Sequence, residues 1–124
     1  RQYIDAYSGR KDVVFLGIFD KDTKKHIGNI KYEPVNSELS YAIMGILIGE
    51  PGWRGRGVAA EVLIASANWL FRYRNIRQII LGVQRSNQAA IIAYQKVGFI
   101  EKKSKFFPNG RKEGITMVWD LNEL

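Results

Sequence analysis

Arg54, Gly55, Arg56 and Gly57 stand directly in front of Val58 and Ala59, which open an amphipathic helical pattern. These residue types at this spacing suit an anion. Glycines at 55 and 57 let the backbone approach a ligand closely and reach dihedrals that other residues avoid. The first N–H groups of a helix have no partner within it, and together with the helix dipole they favour a phosphate. Two arginines add positive charge and paired donors. The segment therefore reads as a pyrophosphate cradle. A Walker loop is excluded, because Val58 and Ala59 stand where a Lys-Ser or Lys-Thr pair is needed. A dinucleotide fingerprint fits poorly, because about 20 residues on stand Gln78 and Ile79 rather than an acid. Taken alone, the glycine pair is also compatible with a tight strand-to-helix turn that binds nothing.

A second cluster follows an apolar run, Ile79 to Val83. Gln84 to Phe99 reads QRSNQAAIIAYQKVGF. Asn87 occupies the N-cap position for a helix over Gln88 to Val97, and Gly98 the C-terminal cap. Tyr94 follows Asn87 by close to two helical turns, so the two side chains lie on nearly the same side. On these residues the chain resembles the GCN5-related N-acetyltransferase (GNAT) family. That family's acyl-CoA loop has the form (Q/R)-x-x-G-x-(G/A), and Arg54 to Ala59 matches every fixed position. Its second signature is matched by Asn87, Ala90, Tyr94, Gly98 and Phe99. Ser37 to Trp53, SELSYAIMGILIGEPGW, resembles the subgroup related to ribosomal-protein and amino-sugar acetyltransferases. The resemblance runs from about Val13 to Leu121.

The resemblance implies direct transfer of an acetyl group from acetyl-CoA, a co-substrate, to a primary amine. The acceptor would be a small amine, an amino sugar or a protein N-terminus. Arg54, Gly55, Arg56, Gly57, Val58 and Ala59 would hold the pyrophosphate. Ile46, Leu47 and Ile48 on one strand and Val83 on another would line a splayed gap whose free backbone groups hold the pantetheine arm. An N–H at a bulge near Ile46 or Leu47 would polarise the thioester carbonyl. Asn87 would bond the pantetheine or the acceptor while capping its helix. Tyr94 would protonate the leaving thiolate, since a phenol with a pKa of about 10 holds its proton at neutral pH. A general base is harder to name. The strand before the loop, YAIMGILIG, carries no acid; Glu50 follows it and Glu33 and Glu38 precede it. Glu50 is the candidate, against the alternative of a solvated loop carboxylate. His26 reads as a turn residue.

The elements that must position these groups form an α/β (α+β) pattern: a mixed, mostly antiparallel sheet flanked by helices. Val13 to Phe19, Ile27 to Val35 and Leu39 to Ile48 read as strands, and the internal Gly45 suggests a bulge or a close backbone approach. Helices are expected over Gly57 to Tyr73 and Gln88 to Val97, with a buried strand at Ile79 to Val83 between them. Phe99 to Phe107 and Gly114 to Leu121 read as a hairpin around Pro108, Asn109 and Gly110. Residues 1 to 9 read as the end of a helix. The family's pattern opens with a strand and helices before the first hairpin, so one acetyltransferase domain over 1–124 is expected, with that N-terminal strand and helix missing.

Composition fits one small domain with a core of its own: 124 residues, 46% hydrophobic. No apolar run is long enough to cross a membrane, and no secretory pattern opens the chain. The absence of cysteine excludes disulfides, thiolate metal sites and a cysteine nucleophile, and it fits a cytoplasmic protein. One histidine cannot build an imidazole metal cluster. The net charge of +7 keeps nucleic acid in play. The basic residues are scattered, however, and each short run reads as solvated surface. Only Arg72-Tyr73-Arg74 and Lys105-Phe106-Phe107 interleave charge with rings. The alternatives to an active transferase are thus a CoA-binding but inactive fragment and a basic nucleic-acid-binding domain. An exposed sheet edge would invite pairing into a homodimer.

Overall fold

The computed structural model describes residues 2–6, 11–49, 58–107 and 113–123. Among the described residues, seven strands and two helices follow one another as β1 (Gln2–Ala6), β2 (Val14–Asp20), β3 (His26–Asn36), β4 (Tyr41–Gly49), α1 (Val58–Arg74), β5 (Gln78–Gln84), α2 (Gln88–Val97), β6 (Ile100–Glu101) and β7 (Gly114–Asp120). A short 3-10 turn, Leu121–Glu123, follows β7. The strands form one sheet in the order β1-β2-β3-β4-β5-β7-β6. Every neighbouring pair is antiparallel except β4 and β5, which are parallel and joined through α1. None of the helices is long and apolar enough to cross a membrane among the described residues.

Alternation along the strands sorts side chains onto two faces. Leu16, Ile18, Ile30, Tyr32, Ala42, Ile79, Leu81, Met117 and Trp119 turn toward the helices. There they bury against Val62, Leu63, Ala67 and Leu70 of α1 and Ile91 of α2. The i, i+4, i+8 spacing of Val62, Ser66 and Leu70 puts all three on the buried stripe of α1. Ser66 is tolerated there because its hydroxyl donates to the Leu63 carbonyl (3.0 Å) and accepts from the Tyr32 hydroxyl (2.8 Å). Tyr73, on the same helix, is instead exposed. The opposite face carries a smaller cluster of Ile43, Ile80 and Val118, packed by Tyr41, Phe106 and Phe107.

Two expectations change. Residues 2–6 are not a helix end but a strand, paired with β2 from Gln2↔Asp20 to Ala6↔Leu16. A few residues of helix are unstable without tertiary packing, whereas the free edge of β2 offers a partner to each backbone group that faces it. The closing hairpin is also shorter than expected. β6 holds only Ile100 and Glu101, paired with Val118 and Met117. After it the chain turns at Ser104 to Phe107 so that Phe106 stacks on Tyr41 with ring centroids 3.9 Å apart. Phe107 lies on Gly82, where any added Cβ would come within 2.9 Å of its ring. Burial of two aromatic rings outweighs the extra ladder bonds a longer β6 would make. Pro108 to Gly110 lie outside the described residues.

Candidate functional site

The pairing of β4 with β5 sets the site. It runs Tyr41↔Gln78, Ala42↔Ile79, Ile43↔Ile80 and goes no further among the described residues. Both strands continue on their outer sides, β4 along β3 to Gly49 and β5 along β7 to Gln84. Met44–Gly49 and Leu81–Gln84 therefore border a gap that opens toward the carboxyl ends of the two strands. Beyond Ile43 and Ile80 the two strands are not paired with each other among the described residues. Such a crevice at the carboxyl end of parallel strands is where open α/β sheets hold ligands.

A bulge marks the gap's β4 rim. Lys31 is opposite Ile46 but Tyr32 is opposite Met44, so Gly45 is the extra residue. A Cβ there would meet only the Lys31 carbonyl at 3.5 Å, an ordinary contact, so the bulge does not depend on the missing side chain. Beyond it, Leu47 packs toward the helix-side core, while Ile46 and Ile48 are 42% and 48% exposed on the helix-free face. Lys31 and Glu33 lie beside the bulge on that face, with Nζ 3.1 Å from Oε1. On the opposite rim Val83 is half-buried against the helix-side core.

Both helices begin at the open end of this gap, since α1 follows the carboxyl end of β4 and α2 that of β5. Their positive dipole ends point toward the same region. Val58 is the first residue of α1 and Ala59, in its first turn, is exposed. Arg54, Gly55, Arg56, Gly57 and Glu50 lie outside the described residues.

The second helix starts and stops where its sequence dictates. The Asn87 side chain accepts the Ala90 N–H at 3.3 Å as N-cap. Gly98 closes the helix at φ 132°, donating its N–H to the Tyr94 and Gln95 carbonyls (both 3.2 Å). A side chain at Gly98 would be strained by that φ and would also strike the Trp119 ring. Between these ends Tyr94 is half-buried, edge-on to Phe99 (centroids 5.7 Å apart), which in turn packs on Trp119 (5.4 Å). Burial pushes the Tyr94 phenol above its ordinary pKa, so it keeps its proton at neutral pH.

The structure thus gathers Ile46, Leu47, Ile48 and Val83 along one gap and places Ala59 and Asn87 at the starts of the two helices beside it. His26 belongs elsewhere. It is the first residue of β3, stacked on Phe19 (4.8 Å) with Nε2 2.8 Å from Asn29 Oδ1. The Lys31–Glu33 pair beside the bulge was not legible from spacing. Only the register of β3 against β4 brings it there, although Glu33 stands within the charged stretch before the acid-free strand.

A family model described as an acetyltransferase (GNAT) domain matches residues 1–100. The chain belongs to the GNAT acetyltransferase family. It is 28% identical over 105 residues to a spermidine N(1)-acetyltransferase of Vibrio cholerae, covering 82% of this chain and 60% of that protein. It is 25% identical over 97 residues to the [ribosomal protein uS5]-alanine N-acetyltransferase of Escherichia coli, covering 77% of this chain and 50% of that protein. The chain therefore spans only about half to three-fifths of the length of these curated relatives. In fold it resembles the structure of spermidine N-acetyltransferase from Vibrio cholerae described as dodecameric, with a TM-score of 0.73 at 24% identity over 90% of this chain and 67% of that one. This match bears out the mixed, mostly antiparallel sheet with flanking helices.

Proposed function

We propose that this GNAT domain binds acetyl-CoA and transfers its acetyl group directly to a primary amine. The observation that carries this reading is the gap between β4 and β5, onto whose open end both helix N-termini converge. The rims, no longer paired with each other, would offer donors and acceptors to the amides of a pantetheine arm, from Ile46 to Ile48 on one side and at Val83 on the other. Arg54 to Gly57, with the first N–H groups of α1 at Val58 and Ala59, hold the pyrophosphate. Asn87 uses Oδ1 for its cap, which leaves the amide hydrogens of Nδ2 to donate to the ligand.

In the reaction the amine nitrogen attacks the thioester carbon and the C–S bond breaks. The N–H groups at the Gly45 bulge donate to the oxygen that becomes negative. Tyr94 donates its phenolic proton to the departing sulfur and regains one from solvent. The acceptors named for the relatives, spermidine and an alanine N-terminus, are the first amines to try. The exposed edge of β1 is the surface on which copies of the chain would pair.

Titration calorimetry with acetyl-CoA, and with ATP as a phosphate control, tests the site. Saturable binding of acetyl-CoA alone is expected, and Gly57→Glu should abolish it by setting a carboxylate against the pyrophosphate. Retained affinity in that variant would refute the loop assignment. Tyr94→Phe should lower thiol release with little change in acetyl-CoA affinity; an unchanged rate would remove Tyr94 from the mechanism. Binding with no turnover of any amine would favour the inactive CoA-binding reading.

A further inference from the structure

An amine of ordinary basicity is an ammonium at neutral pH and has no lone pair for attack until a proton leaves. The strand that borders the thioester, β4, reads YAIMGILIG and offers no acid or imidazole to take it. From this chain's own residues we infer that Glu33, on the neighbouring strand β3, is the base that receives that proton. The inference rests on the transferase reading above.

Register and face carry the assignment. Lys31 is opposite Ile46 and Tyr32 opposite Met44 across the Gly45 bulge, and the register shifts again before Val35 meets Ala42, so Glu33 follows the bulge in a stretch of β3 that is not held in regular register. Tyr32 turns into the helix-side core, which sends Lys31 to the other face, where Ile46 is also exposed. The 3.1 Å contact between Lys31 Nζ and Glu33 Oε1 holds the carboxylate on that face too. A bridging water extends the reach of a carboxylate that does not touch the amine directly. The Glu33 side chain is 38% exposed, so solvent can carry the proton away.

Glu61, Glu101 and His26 are placed worse. Glu61 lies in the first turn of α1, on the helix side. Glu101 is tied to Arg85 at 3.2 Å, beyond β7 on the far side of β5. His26 shares the helix-free face but sits next to Gly28, which pairs with Gly49 at the far end of β4. Tyr94 stands on the helix side of the sheet. Base and acid thus approach the gap from opposite faces, so the proton leaving the amine and the one reaching the sulfur do not compete for one group. The balance is complete: the ammonium N–H gives its proton to a Glu33 oxygen through the bridging water, and the freed pair forms the C–N bond. The second amine proton leaves to solvent as the amide forms.

The test compares Glu33→Gln with the unaltered protein, using spermidine, glucosamine and an alanine-terminated peptide as alkylamines and hydroxylamine as an acceptor already neutral at pH 7. Turnover of the alkylamines should fall about 100-fold, the usual worth of a positioned base, while hydroxylamine turnover and acetyl-CoA affinity stay nearly level. Lys31→Gln removes the ion pair but keeps the carboxylate, and should cost no more than about 3-fold, since an exposed pair is energetically weak. Equal losses with both kinds of acceptor, or no loss with alkylamines, would overturn the assignment and leave the transferase reading intact. If the unaltered protein binds acetyl-CoA but turns over none of the four amines, the transferase reading falls and this inference with it.

Discussion

The two helices meet the same sheet but are held to it in different ways. α1 spans Val58–Arg74 and is fixed along its length, with Val62, Leu63, Ser66, Ala67 and Leu70 all buried. α2 spans only Gln88–Val97, and Ile91 is its one buried residue. What α2 lacks in burial is offset at its ends, by the Asn87 cap and by Gly98 folding back onto the Tyr94 and Gln95 carbonyls. A helix of ten residues is marginal on its own, so hydrogen bonds at its termini decide whether it forms. The consequence is a division of labour. The first helix, α1, is anchored by packing. The helix that presents Tyr94 is held by caps that a single substitution can loosen.

Substitutions that separate packing from capping would test that contrast. Leu70→Ala removes a fully buried side chain from α1 and should cost about 3 kcal/mol in global stability by denaturant titration, because the surrounding sheet relaxes only in part. Hydrogen exchange should then quicken in α1 and the strands together. Equal protection in the sheet would mean that α1 is not the keystone of the core. Asn87→Ala should cost about 1 kcal/mol, and its effect should be local. The Ala90 and Ile91 amides at the start of α2 should exchange faster while those of α1 hold, and loss of protection across the whole molecule would erase the distinction between the helices.

The smallest effect concerns how α1 is pinned from within. Tyr32 is wholly buried and donates to Ser66, and Ser66 still reaches the Leu63 carbonyl without it. Tyr32→Phe should therefore cost about 1 kcal/mol or less at neutral pH. Its signature is in alkali. Burial pushes the Tyr32 phenol well above the usual range, so the folded protein keeps a proton that the unfolded chain gives up from about pH 10. Stability should fall as pH rises beyond that point, and Tyr32→Phe should flatten the fall in a pH series of thermal melts. An unchanged slope would show that the phenol reaches water.

Much of the site was legible locally. The second helix begins after Asn87 and ends at Gly98 as the sequence reads, because cap residues act through bonds to backbone atoms three or four positions away. The bulge foreseen from Gly45 lies at that residue. The apolar runs at Val13 to Phe19, Ile27 to Val35 and Ile79 to Val83 match β2, β3 and β5 to within a residue or two. Residues 2–6 and 102–107 were misread for a shared reason. Each segment's form depends on a surface supplied from far away in the chain: the free edge of β2 in one case, Tyr41 and Gly82 in the other.

By itself, the sequence determined what local chemistry can determine: the glycine and arginine loop ahead of a helix, the capped helix bearing Tyr94, the alternation that buries one face of each strand, and the family to which these belong. Only the tertiary structure decided where β4 and β5 part company and which carboxylate stands beside the bulge. Both follow from register between strands distant in sequence. A register shift of one residue sends every side chain to the other face, so no property of Glu33 or Ile46 taken alone could show that they share one.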